Sequence, residues 1–104
     1  MGLSDLGRFS DPALFILTSL AGGEKHGYAM MEDIERLSGL RPGPGTLYGA
    51  LSRLEARGLI EPLAAEERRR PYRLTKAGRA LLEAELATLR DFTLTGLRRL
   101  EAGG

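Results

Sequence analysis

The chain has 104 residues, 42% of them hydrophobic and 28% charged, with no cysteine and a formal net charge of +1. That is the length of one domain with a modest core, and the apolar share argues against disorder. Without cysteine there can be no disulfide, Cys-ligated metal or thiol nucleophile, which is compatible with the cytoplasmic location we expect. No basic start runs into an apolar stretch, so no secretory leader is expected, and the apolar runs are too short to span a membrane. The charge is unevenly spread. Residues 1–40 carry Arg8, Lys25 and Arg36 against six acidic groups, a net of −3. Residues 41–76 carry seven arginines and Lys76 against Glu55, Glu61, Glu66 and Glu67, a net of +4. Residues 77–104 balance, so the positive charge sits in the middle of the chain.

Residues 1–10 show little periodicity and read as an N-terminal arm. Asp11-Pro12 is a helix start, with aspartate at the cap and proline in the first turn. Leu14, Ile16, Leu17 and Leu20 make the first helix strongly apolar, Phe15 points toward a neighbouring helix or a partner subunit, and Ala21-Gly22-Gly23 stops it. A second helix spans about Gly27 to Leu37, with Tyr28, Met30, Met31, Ile34 and Leu37 as its inner stripe. Ser38-Gly39 ends it, and the two prolines and two glycines of residues 40–45 enforce a tight connection.

The stretch from Gly43 to Ile60 then reads as a short helix. Thr46 caps or opens its first turn, Leu47, Ala50, Leu51 and Leu54 form one apolar stripe, and Gly58 follows the last turn as a C-terminal glycine. Its other face shows Thr46, Gly49, Ser52, Arg53 and Ala56, small enough for a DNA groove, although an ordinary solvated face has the same composition. Two helices around a tight connection give the outline of a helix-turn-helix. After it, residues 59–64 and Pro71 to Leu74 read as two strands around the charged tip Glu66-Glu67-Arg68-Arg69-Arg70. The expected fold is therefore mainly α: a winged helix-turn-helix of three helices and a two-stranded β wing, residues 1–75. Thr75 caps a long last helix, residues 76–104, whose apolar side carries Leu82, Leu86, Leu89, Phe92, Leu97 and Leu100. A domain this small has trouble burying so long a stripe alone, and a second copy of the helix would cover it.

Several fragments in order and spacing resemble the PadR family of bacterial transcriptional regulators: His26-Gly27-Tyr28, Gly45-Thr46-Leu47-Tyr48, Leu51-Ser52-Arg53-Leu54-Glu55, Gly58-Leu59-Ile60, and Tyr72-Arg73-Leu74-Thr75 with Gly78. The single C-terminal helix is similar to that of the smaller PadR subgroup. Two positions depart from the pattern. Gly49 stands where the family usually has proline, and Pro71 replaces an aromatic or basic residue beside the wing tyrosine. The resemblance implies a homodimeric repressor that binds double-stranded operator DNA and is relieved by a small, often aromatic, effector.

On this reading the DNA-binding residues are Lys25 and His26 before the second helix, Thr46, Tyr48, Ser52 and Arg53 on the third, Arg68, Arg69 and Arg70 at the wing tip, and Arg73 in the returning strand. Thr46 and Tyr48 would hydrogen-bond phosphate, and Ser52 and Arg53 would approach base edges or phosphates. Against this, the Tyr48 ring can be core with only its hydroxyl wet, Arg53 can pair with Glu55, Glu32 or Glu35, and the wing can be a solvated tip. Dimerisation falls to Phe15, Leu82, Leu86, Leu89, Phe92, Leu97 and Leu100. An aromatic effector would find Phe9, Phe15 and Phe92. A lone histidine makes no metal site, no cofactor is expected, and no acid/base dyad or phosphate loop points to an enzyme. The alternative is a winged helix that binds protein instead of DNA.

Overall fold

The computed structural model describes residues 11–103. The expected N-terminal arm, residues 1–10 with Phe9, lies outside the described residues. Helix α1 (Pro12–Ala21) starts where Asp11 caps it: the aspartate carboxylate accepts from the Ala13 N–H at 2.9 Å, and Pro12 occupies the first turn. A two-residue strand, β1 (Lys25–His26), leads into α2 (Gly27–Ser38). Gly39, at φ +77°, closes α2 in the left-handed conformation that only glycine adopts without penalty.

Helix α3 (Pro44–Ala56) starts at Gly43 with no side-chain cap, so Thr46 does not cap it; the proline in its first turn sets the entry. Its end is a Schellman motif. Gly58 (φ +73°) donates to the Glu55 carbonyl at 2.9 Å, and Leu59 donates to the Leu54 carbonyl at 3.0 Å. Leu54 and Leu59 both enter the core, the hydrophobic contact that accompanies this motif. Strands β2 (Ile60–Pro62) and β3 (Pro71–Leu74) pair antiparallel with Glu61 opposite Arg73, and α4 (Lys76–Gly103) follows.

The sheet has three strands rather than two, in the order β1-β3-β2, with Lys25 opposite Tyr72 and His26 opposite Pro71. A Lys-His pair shows no alternation; it becomes a strand only because β3 offers it an edge. The wing thereby ties to the start of α2 as well as to the end of α3.

The core is Ile16, Leu17 and Leu20 of α1, Met30, Met31 and Ile34 of α2, Leu47, Ala50, Leu51 and Leu54 of α3, then Leu59, Ile60 and Leu82. Two residues of the expected α2 stripe are outside it. Tyr28 is 51% and Leu37 58% exposed, because Tyr28 is out of phase with Met30 and Ile34 and Leu37 sits in the last turn. Helix α4 is joined to the domain at its first turns. Thr75 donates its hydroxyl to the Gly58 carbonyl at 2.6 Å and accepts from the Gly78 N–H at 3.0 Å. Gly78 packs so tightly that a Cβ there would run into the Leu59 carbonyl. Leu82, expected at a dimer contact, is 4% exposed and belongs to the chain's own core, since the first turns of α4 lie on it. Phe15 likewise is half-buried against the core.

One polar network stitches α1, β1 and α2. Buried Ser19 donates to Asp33 Oδ2 at 2.7 Å, and Lys25 Nζ donates to the Ser19 carbonyl at 2.5 Å and to the Gly23 carbonyl at 3.2 Å. Arg36 donates to the other Asp33 oxygen at 3.2 Å. The Ser19 hydrogen bond is the main cause that holds the Asp33 carboxyl below its ordinary pKa. Burial opposes it, and Arg36 and Lys25 add to the lowering.

Candidate nucleic-acid interface

Burying Leu47, Ala50, Leu51 and Leu54 leaves the opposite face of α3 to solvent, and Thr46, Ser52 and Arg53 are all exposed there. Among the described residues Arg53 forms no ion pair, so none of Glu32, Glu35 and Glu55 holds it. Glu35 instead takes Arg41 of the interhelical turn, at 3.3 Å. Gly49 lies beside Arg53: a Cβ there would sit 3.6 Å from the guanidinium, an ordinary contact.

Beside this face the wing, the start of α2 and α3 enclose a cleft of about 310 Å³. Its floor is the pair Gly27–Tyr48. The Tyr48 ring lies so close to the glycine that a Cβ at position 27 would stand 2.5 Å from the hydroxyl oxygen and 2.8 Å from Cζ. That close approach explains the glycine between His26 and Tyr28. Tyr48 is not the core ring with a wet hydroxyl that the sequence allowed: it is 49% exposed, stands outside the core, and its hydroxyl end is the part seated against Gly27. Tyr28 and Tyr72 complete the aromatic lining, so all three tyrosines of the chain meet here. Burial pushes the Tyr72 hydroxyl's pKa up, with Glu55 adding to the rise and Arg70 opposing it, so the group stays a hydrogen-bond donor.

The rim is basic. Arg68, Arg69 and Arg70 line the cleft from a tight wing turn. Glu66 and Arg69 exchange backbone hydrogen bonds at 2.7 and 2.8 Å, and the two residues between them, Glu67 and Arg68, have φ of +46° and +70°. That is the two-residue hairpin turn matching strand twist, built here without glycine. Arg70 donates to the Leu63 carbonyl at 3.1 Å. His26 closes the far side. Its Nδ1 accepts from the Ala29 N–H at 3.3 Å, capping α2, and its Nε2 is 3.3 Å from Arg69 Nη1. A neutral imidazole has one acceptor nitrogen, so it can serve the cap or the arginine, not both.

Two of the expected DNA-binding residues have other partners. Lys25 is engaged by the carbonyls of Ser19 and Gly23 and lies 4.0 Å from Asp33. Arg73 pairs with Glu61 at 2.6 Å across the β2–β3 ladder. The cleft thus unites His26, Tyr48 and Arg68–Arg70, with Thr46, Ser52 and Arg53 on the adjoining helix face.

The model of the transcriptional regulator PadR-like family matches residues 16–84, from the middle of α1 into α4. The chain belongs to this family. The PadR-like chain is 43% identical over 84 residues to the transcriptional regulator Rv3488 of Mycobacterium tuberculosis, covering 75% of each protein. It is 54% identical over 78 residues to a 37.1 kDa protein of transposon Tn4556 from Streptomyces fradiae, covering 75% of this chain but only 23% of that protein. The fold also matches Bacillus subtilis PadR solved in complex with operator DNA, at a TM-score of 0.65 and 24% identity, covering 71% of this chain and 45% of that one. The family is one of transcriptional regulators and not of enzymes. No helix among the described residues is long and apolar enough to cross a membrane.

Sequence reasoning did not place Tyr28 and Tyr72 in this cleft. Outside the cleft lining, the Arg41 guanidinium lies 5.5 Å from the centroid of the exposed Tyr28 ring, a cation–π contact. The available signal was the clustering of tyrosines next to glycine and arginine motifs, which periodicity alone assigns to the core.

Proposed function

We propose that this PadR-like protein is a cytoplasmic, homodimeric, sequence-specific DNA-binding repressor. The observation that carries the reading is the cleft of three tyrosines rimmed by Arg68, Arg69 and Arg70, adjoining the exposed Thr46, Ser52 and Arg53 of α3. Arginines and tyrosine hydroxyls suit phosphate oxygens, and the small face of α3 suits the major groove. The operator complex of Bacillus subtilis PadR supports the same assignment by fold. Two copies would read half-sites about 34 Å apart. The dimer reading rests on α4, where Leu86, Leu97, Phe92 and Leu100 are 41%, 54%, 70% and 74% exposed and Leu89 is half-buried. Residues 76–104 would thus form the dimerisation unit, apart from Leu82 and the turns that enter the core.

Relief by a small aromatic effector belongs to the same proposal. Phe15 and Phe92 line different hollows. Phe15 faces an apolar cavity of about 160 Å³ beneath the interhelical turn, beside Ile34 and Leu47, and Phe92 faces the outer half of α4.

The test is fluorescence anisotropy of the protein on duplex from upstream of its own coding region, against a scrambled duplex, across a salt series. Preference for the native duplex and a steep loss of affinity with salt support the proposal, and the slope counts the phosphates contacted. Weak binding that ignores sequence on every duplex from a genomic fragment selection refutes it and favours a protein-binding winged helix.

A further inference from the structure

His26 is the only histidine of the chain, and histidine is the side chain whose charge ordinarily changes between about pH 5 and 8. It stands between two hollows of opposite charge. In the tyrosine cleft it faces Arg68, Arg69 and Arg70, with the hydroxyls of Tyr28, Tyr48 and Tyr72. The second hollow, of about 410 Å³, brings His26 together with Glu24, Glu66 and Glu67, beside Lys25 and Arg69. Lys25 is taken up by the Ser19 and Gly23 carbonyls, and none of these three glutamates forms an ion pair among the described residues. Both contacts of the His26 ring need a lone pair. The Ala29 N–H donates to Nδ1, and a guanidinium has only donors, so across 3.3 Å it is Arg69 that donates to Nε2. An imidazolium has no acceptor nitrogen and would set a second positive charge against the guanidinium. The backbones cannot follow such a change. His26 is paired with Pro71 in the sheet, and Arg69 exchanges backbone hydrogen bonds with Glu66, so the contact breaks by side-chain rotation alone.

We propose that His26 is a positioning residue for Arg69, with a grip that depends on its proton. Neutral, it holds the guanidinium against the start of α2. Protonated, it lets go, turns to the glutamates of the second hollow and leaves Arg69 to a DNA phosphate. The inference rests on the DNA-binding reading of the cleft and adds to it a dependence on pH. The sign follows from the contact. Arg69 must leave His26 before it can reach a phosphate, which is a cost of binding while the ring is neutral. Acid removes the contact from the free protein and removes that cost with it, so DNA binding strengthens as pH falls through the histidine range. One hydrogen bond of this kind corresponds to a factor of about three to ten in affinity.

Two measurements test this and keep it separable from the DNA reading. In the free full-length chain, NMR follows the His26 ring nitrogens and the Arg69 side-chain N–H from about pH 8 to about pH 5.5. The Arg69 resonance should move with the His26 titration and stay fixed in His26→Gln, whose amide accepts a hydrogen bond but does not titrate. An Arg69 resonance that ignores the His26 titration overturns the proposal, whatever the protein does with DNA. In anisotropy on the preferred duplex at fixed salt, the wild type should bind about three- to tenfold tighter at the acid end, while His26→Gln and Arg69→Ala each change by less than about twofold. If Arg69→Ala keeps the full gain, His26 acts on DNA through its own charge and the positioning role is overturned. Absence of binding to every duplex at both ends of the range overturns the DNA reading and the hand-over to phosphate with it, while the NMR titration still decides the contact itself.

Discussion

Gly27→Ala is the most informative perturbation of the cleft, because its effect should depend on one other residue. The added methyl would stand 2.5 Å from the Tyr48 hydroxyl oxygen and 2.8 Å from Cζ, closer than atoms tolerate. The strand-paired backbone of His26 prevents α2 from yielding, so the ring must leave its seat. The obstacle is the end of a side chain that is 49% exposed, so the ring can swing clear, and the cost should approach that of losing the seat, about 1 kcal/mol. Tyr48→Ala should cost roughly 1 kcal/mol, about half the value of burying a whole aromatic ring, since the residue is 49% exposed. In the double variant the methyl has nothing to strike, so the two losses should not add. The expected coupling is about 1 kcal/mol in a double-mutant cycle read by urea denaturation. The same cycle read by DNA anisotropy should show Gly27→Ala weakening binding about as much as Tyr48→Ala, with no further loss on combination. Additive stability losses would mean that the glycine is not there for the tyrosine and would refute the reasoning.

The remaining predictions concern the charges around this site. Arg53→Ala should weaken specific binding by roughly 1–3 kcal/mol if the guanidinium reads a base, and equal losses on operator and random duplex would remove that role. Arg69→Ala should lower the salt slope by about one unit, whereas Arg73→Ala, whose partner is Glu61, should leave it unchanged in the same titration. Gly49→Ala should stabilise the fold by up to about 1 kcal/mol in urea denaturation, since the new methyl only touches Arg53; a loss of stability would show that α3 needs the glycine's backbone freedom. The folded Asp33 carboxyl binds its proton more weakly than an unfolded one, chiefly through Ser19, so in acid the unfolded chain takes up more protons. Its contribution is present above the ordinary aspartate pKa of about 3.9 and is lost as pH falls through and below it. Denaturation across pH should accordingly give Asp33→Asn a shallower acid arm than wild type, and parallel arms would count against the network.

The amino-acid sequence by itself determined the local structure. Asp11-Pro12 starts α1, the glycines at 39 and 58 end α2 and α3, Leu47, Ala50, Leu51 and Leu54 set the buried side of α3, and Thr75 starts α4. Each of these follows from steric rules or hydrogen bonds acting over a few residues, which is why they are legible without a fold. The family pattern and the basic middle of the chain were legible for the same reason, as fixed spacings and local charge. What only the tertiary structure decided is which side chains remain available. Lys25 and Arg73 look as free in the sequence as Arg68 and Arg69, but the packing of β1 on β3 and of α1 on α2 brings them to carbonyls and a carboxylate. Tyr28 has the spacing of a core residue and becomes cleft wall, and Leu82 has the spacing of a dimer contact and becomes core, because each helix buries only the sector that its neighbours cover. Pairing and coverage depend on residues far apart in the chain, and no local rule carries that information.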